Sequence, residues 1–214
     1  MRNTVFAIMG LWVCVVCASV AAIPDEPKDI VEKASSRIFN EIKQDRVAIE
    51  ADKARLYKLV KNEVLPHFNF ARMARSVVKT KYWKKAPKDL RKKFIHTFRD
   101  YLVRTYSTAL IKFEIEKIVY LPTKRRKGKS DVTVQTRVHL ERTKPVPIDY
   151  RLSRTKKGQW KVFDIKVDGI SLIINNRGSY NKILKKSGLT GLIEALGKSE
   201  GDDKKAAPDK AGKS

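Results

Sequence analysis

A change of hydrophobic period near residue 112 constrains this chain more than any other feature. Upstream, apolar residues recur every third or fourth position. Ile30, Ala34, Ile38 and Ile42 make one stripe over 28–46, and Leu56, Leu59, Val60 and Val64 make another over 49–65, where Pro66 stops it. Met73, Val77 and Val78 mark a short helix ending near Tyr82-Trp83. The longest stripe, Leu90, Phe94, Phe98, Leu102, Tyr106 and Leu110, covers 87–112 behind Pro87. This spacing puts apolar groups on one face of an α-helix. Downstream the period is two: Val132, Val134, Thr136, Val138 and Leu140 alternate with Asp131, Thr133, Gln135, Arg137 and His139. Alternation of that kind is a half-buried strand. Ile148, Tyr150 and Leu152 continue it, Trp160 to Val167 supply a further strand after the turn Lys156-Lys157-Gly158, and 113–121 supply another. The helical period then returns over Ile170–Leu184, closed by Gly188, and Leu189–Leu196, closed by Gly197. Asp168 reads as the cap of the helix after it. Helices, then an antiparallel meander, then helices define an α+β fold.

The ends of the chain differ from this middle. Residues 1–22 carry Arg2 as their only charge and an apolar run from Val5 to Val16, followed by the small residues Ser19 to Ala22 except for Val20. That is the pattern of a cleaved secretory signal peptide. The apolar run is shorter than the roughly 20 residues a spanning helix needs. Residues 23–197 form the expected domain, and 198–214, with no large apolar side chain, a disordered polar tail. Cys14 and Cys17 both lie in the leader, so a disulfide framework, a cysteine zinc site and a catalytic thiol are excluded from the mature chain.

Charge is the second bounding fact. With 47 Lys+Arg against 23 Asp+Glu the net charge is +24. Such a surface attracts anionic partners, with a strength that falls as salt rises. The basic run Lys124 to Lys129 suits nucleic acid in a cytosolic protein, but an exported chain points away from that compartment, and a solvated hairpin loop is the plain alternative.

The sequence gives catalysis no support, and no cofactor or metal is expected. His67, His96 and His139 fall in three different elements without ligand spacing. Ser76 to Lys79 fits the Ser-x-x-Lys pattern, but its companion motifs are absent and Ser153 to Lys156 fits equally well. The remaining feature is the apolar and aromatic content itself, which periodicity alone assigns either to a filled core or to a lined pocket.

Three stretches narrow that choice: Phe68-Asn69-Phe70-Ala71-Arg72-Met73-Ala74 running to Tyr82-Trp83; Phe94 to Phe98 and on through Tyr101-Leu102-Val103-Arg104-Thr105-Tyr106 to Leu110; and Trp160 to Ile165, then Gly169-Ile170-Ser171-Leu172. Their order and spacing, ending in Ile183-Leu184 and Gly188-Leu189, resemble the MlaC (toluene-tolerance, Ttg2-type) family over about residues 28 to 197. The resemblance implies an NTF2-like curved antiparallel sheet covered by N-terminal and C-terminal helices. It implies a monomeric periplasmic lipid carrier that is not an enzyme and has no nucleic-acid partner. Its cargo would be phospholipid, moved between outer and inner membrane to maintain outer-membrane lipid asymmetry. Its partners would be an inner-membrane ABC transporter with an MCE-domain protein and an outer-membrane lipoprotein complex. A basic envelope protein binding polyanions, or a carrier of a hopanoid-like lipid, is the alternative. Alternation and resemblance together nominate Phe94, Phe98, Leu102 and Tyr106 from the long helix, and Val134, Val138, Tyr150, Leu152, Phe163 and Ile165 from the strands, as lipid-binding residues. Ala86 stands where the family usually has Ser or Thr, so the long helix lacks a side-chain cap, a loss of about 1 kcal/mol.

Overall fold

Prolines and short polar side chains decide where the N-terminal helices begin. The computed structural model describes residues 26–125 and 130–198; the leader, residues 126–129 of the basic loop and the chain beyond Lys198 lie outside the described residues. Helix α1 (Pro27–Gln44) opens on a proline, whose missing N–H has no intrahelical partner to lose at that position. The expected 49–65 helix is instead α2 (Arg46–Ala51) and α3 (Lys53–Glu63). They are separate because the Asp52 carboxylate accepts a bond from Ala54 N at 2.8 Å and starts α3 afresh. A 3-10 turn, Leu65–His67, contains Pro66. Asn69 caps α4 (Phe70–Val77) by accepting from Arg72 N at 2.9 Å. After α5 (Thr80–Lys85), α6 (Lys88–Ser107) begins behind Pro87 with no side-chain cap, and α7 (Ala109–Lys112) extends it by a turn.

Among the described residues six strands make one antiparallel sheet: β1 (Ile115–Tyr120), β2 (Lys124–Arg125), β3 (Asp131–Leu140), β4 (Val146–Arg154), β5 (Trp160–Val167) and β6 (Ile170–Ser171). The order is β1-β3-β4-β5-β6, with β2 also beside β3. Gly158, at φ 79°, supplies the left-handed residue that the β4–β5 turn requires. The register puts Val132 opposite Leu152, Val134 opposite Tyr150, Thr136 opposite Ile148 and Val138 opposite Val146. Paired residues share a face, so these define one side of the sheet. A bulge interrupts β5: Arg151 faces Asp164 while Leu152 faces Val162, leaving Phe163 as the extra residue. The early edge of β5 is covered by the chain before α4, where Asn69 N donates to Val162 O at 2.8 Å and Phe68 bridges Val162.

The last helix, α8 (Leu172–Lys198), starts differently from the expectation. Asp168 does not cap it; Asp168 sits in the turn at φ 49° beside Gly169. The cap is Ser171, whose Oγ accepts from Ile174 N at 3.1 Å and donates to the buried Asp164 carboxylate at 2.8 Å, while Ile173 N also donates to Asp164. Gly188, at φ 64° and ψ −163°, breaks the helix as expected, whereas Gly197 lies within it and does not close it.

Three apolar clusters hold these elements together. The largest joins α4, α6 and α8 around Phe94 and Phe98, stacked with centroids 5.7 Å apart, and it takes in Phe163 from β5. The second lies between Ile30 and Val31 of α1 and Val132, Val134, Leu152, Trp160 and Val162 of the sheet. The third joins α1, α2 and α3 through Ile38, Ile42, Ile49, Leu56 and Val60, with Val103 and Leu110 packed against it. Full burial of each such side chain contributes about 1.5–3 kcal/mol.

Candidate functional site

One face of the sheet is covered unevenly, and that unevenness defines the site. At the end nearest the start of α1 the inner residues are sealed: Val134 and Leu152 are 0% exposed, and Val132 and Val162 2%. Toward the other end, Val146, Ile148 and Tyr150 of β4 remain half-buried, as do Ile165 and Val167 of β5 and Ile118 of β1. All are on the same face by register, since Tyr150 faces Ile165, Ile148 faces Val167, and Ile118 faces Val138. β4 is an interior strand, yet Thr136 and Val138 of β3, opposite Ile148 and Val146, are 0% and 5% exposed, so the partial opening is confined to the β4, β5 and β1 residues of this face. The cover that exists is α1, which packs across β1 and β3, with Ser35 Oγ and the Tyr120 hydroxyl 2.7 Å apart; the long helix α6 makes its main contacts with α3, α4 and α8.

Tyr150 is half-buried at the middle of this patch. Burial drives its phenol well above the ordinary tyrosine range, and the neighbouring Tyr120 pushes it the same way. The partly covered apolar patch of half-buried side chains around Tyr150 is the candidate recess. On α6, Tyr106 is also pushed up by burial, against an opposing hydrogen bond with Asn176.

Beyond the far end of the same face, an apolar cleft of about 170 Å³ opens between α1 and the start of β1, lined by Ile38, Phe39, Ile42, Leu110, Phe113 and Ile115. Its rim is charged. Arg46 donates to Glu50 Oε1 at 2.7 Å and to Ile111 O at 2.8 Å, with Glu114 at 3.8 Å. Ile115 faces Leu140 in register, which links the cleft to the row of inner residues that includes Val138 and Ile118.

The residues nominated from sequence fall into two groups. Phe94, Phe98, Leu102 and Phe163 are buried in the helical cluster, with Tyr106 packed against it. Val134 and Leu152 are buried in the sheet cluster, with Tyr150 and Ile165 packed against it, and Val138 is 5% exposed. The β5 bulge separates Phe163 from the other strand residues. Its ring meets the Arg72 guanidinium at 3.6 Å and that of Arg151 at 4.7 Å, on the side where Arg151 faces Asp164. Sequence reasoning left out Ile148, Val146, Phe39, Phe113 and Ile115. Strict alternation pointed to the first two, while Phe113 sits at the break between periods, where no pattern speaks.

The profile of the family described as MlaC protein matches residues 32–198. The chain belongs to the MlaC family. Two similar proteins and a solved structure agree with that membership. The chain is 25% identical over 172 residues, 79% of its length and 80% of the relative's, to the intermembrane phospholipid transport system binding protein MlaC of Haemophilus influenzae. It is 22% identical over 162 residues, 76% and 74% of the two chains, to the toluene tolerance protein ttg2D of Pseudomonas putida. A phospholipid-binding protein from Ralstonia solanacearum, solved in complex with a phospholipid, superposes with a TM-score of 0.71 at 25% identity, covering 80% of this chain and 95% of that one. The α+β arrangement of helices with an antiparallel sheet is thus shared with a phospholipid-binding protein of known structure. Among the described residues no helix is long and apolar enough to cross a membrane, and no group of three or more His, Cys, Asp or Glu is placed to hold a metal ion.

Proposed function

We propose that this MlaC-family chain is a periplasmic phospholipid carrier that holds acyl chains against the open half of the sheet and moves them between the outer and inner membranes. The observation that carries this reading is the half-buried apolar row Val146, Ile148 and Tyr150 on the inner face of β4. The phospholipid-bound relative supports it.

The physical demand is simple. Two acyl chains expose roughly 30 methylenes at about 0.8 kcal/mol each, so crossing water unaided is opposed by more than about 20 kcal/mol. A carrier needs an apolar surface nearly equal to the bilayer in free energy, because a much deeper well would never release its load. The chains would meet Ile148, Tyr150, Ile165 and Tyr106, with Val138 beside them. Val134 and Leu152, both 0% exposed, are packed in the cluster that Tyr150 and Ile165 border, whereas Phe94, Phe98, Leu102 and Phe163 belong to the helical core. The visible cleft has the liquid volume of roughly six waters. Loading two chains therefore requires α1 to move away from β1 and widen it. No group in this arrangement acts on a bond, and a passive recess only equilibrates its cargo. Direction then comes from the docking partners, an ABC transporter with an MCE-domain protein on one side and an outer-membrane lipoprotein complex on the other.

The test is the lipid content of the purified protein. Organic extracts and native mass spectra are expected to show phospholipid in near-stoichiometric amount, with uptake from liposomes after delipidation. Protein that is repeatedly clean and takes up nothing from liposomes would sink the proposal.

A further inference from the structure

We propose that the protein has a second site, separate from the apolar recess, built to bind a phosphate group. It is a solvent-open cleft of about 540 Å³ where the end of α4, the α4–α5 turn and α8 meet, lined by Arg72, Arg75, Ser76, Val78, Lys79, Thr80 and Arg177. This inference does not rest on the carrier reading.

The lining carries four cations and no carboxylate. Arg72, Arg75 and Ser76 are spaced by three and four residues, which gathers them on one side of α4, and Lys79 joins them from the extended turn that leads into α5 and Thr80 from the first residue of that helix. The two arginines that matter most are held in place. Arg72 lies with its guanidinium 3.6 Å from the Phe163 ring centroid, and its Nη2 donates to both Asp131 oxygens at 3.0 and 3.2 Å. Its other N–H groups have no partner among the described residues. Arg177 Nη2 donates to Ser76 O, tying α8 to α4 and fixing the opposite wall. Arg75 and Lys79 are exposed and pair with no carboxylate among the described residues.

Anchored guanidiniums distinguish a site from a merely basic surface. Their forked donors match phosphate oxygens two at a time, with little side-chain freedom left to lose. The volume corresponds to roughly 18 waters, enough for a phosphate with its ester substituent. The cleft also lies across the sheet from the recess: Arg72 reaches Asp131 and Phe163, on the face carrying Arg151 and Asp164, whereas Tyr150 and Ile165 face the other way. The chemistry recognised is a phosphate ester or phosphate ion, supplied either as a soluble anion or as a lipid headgroup.

Calorimetric titration with inorganic phosphate, and competition by vesicles of phosphatidylglycerol or phosphatidylcholine, tests this. Saturable phosphate binding is expected, weakened at least tenfold by Arg75→Glu with Lys79→Glu. The pair Lys156→Glu with Lys157→Glu makes the same change in net charge on the β4–β5 turn and should weaken it less than twofold. Arg177→Lys keeps the charge but loses the fork, so about fivefold weakening is expected. Displacement of phosphate by phosphatidylglycerol vesicles identifies a headgroup as the source; saturable phosphate binding without displacement identifies a soluble anion. Extracted lipid should be unchanged in the Arg75/Lys79 variant. Equal weakening by both charge-reversal pairs, no saturable phosphate binding, or joint loss of phosphate and extracted lipid would overturn the proposal.

Discussion

The two ends of one sheet face make the informative comparison in this molecule. Both carry the same alternating apolar code, written through Val132 to Val138 on β3 and through Val146 to Leu152 on β4. At one end Ile30, Val31 and Trp160 close over Val134 and Leu152, and nothing is left exposed. At the other, Val146, Ile148 and Tyr150 stay accessible. The residue types are alike along β4; what differs is how far each is covered, while β3 opposite stays sealed, with Thr136 at 0% and Val138 at 5%. A recess is therefore a property of the cover and not of the strand beneath it.

Substitutions break or sharpen that comparison. Leu152→Ala at the sealed end should lower stability in urea unfolding by about 2–5 kcal/mol. Ile148→Ala at the open end should lower it by only about 1 kcal/mol, because part of that side chain already meets solvent. Equal losses would mean that both ends are packed alike. Filling the open end is the next test. Ile148→Trp should leave the unfolding midpoint nearly unchanged while cutting extracted phospholipid several-fold, since overpacking costs about 1–3 kcal/mol only where no room exists.

Titration reads the same asymmetry more gently. Tyr150, Tyr180 and Tyr106 are all pushed above the ordinary tyrosine range, by burial first. The folded chain then holds protons that the unfolded chain releases near pH 10, so stability falls as pH rises beyond that point. Phenolate absorbance should show Tyr150 and Tyr180 ionising only as the protein unfolds, and Tyr150→Phe should remove part of the alkaline loss. The smallest effect is expected away from the face. Glu141 is raised by hydrogen bonding to, and repulsion from, Glu114. Its folded form favours the proton, so the strain is present above the carboxylate range and relieved below about pH 4. Glu141→Gln should raise the melting temperature slightly at pH 7 and not at pH 3.

Much of this architecture is legible in the residues because a period of two or of 3.6 is imposed directly by which face is buried. Val132 to Leu140 needed only counting, and so did the α6 stripe. The parts that were not legible depend on partners distant in sequence. The Asp52 cap divides what apolar spacing alone joins, and Ser171 caps α8 because the buried Asp164 from another strand holds its hydroxyl. Phe163 looks like one more strand residue, yet the bulge sends it to the helical core. The open end of β4 carries no signature whatever, since Ile148 and Leu152 are written alike and differ only in how far tertiary neighbours cover them.

An uncovered stretch of interior strand also sets how temperature acts on the molecule. Any hydrocarbon that settles on Ile148 and Tyr150 removes apolar surface from water, and such association carries a negative change in heat capacity. Its enthalpy must then grow more favourable on warming while its entropy grows less so, giving a curved van't Hoff plot. The occupied form gains resistance to melting in proportion to the logarithm of cargo concentration. A thermal scan thus becomes a gauge of occupancy.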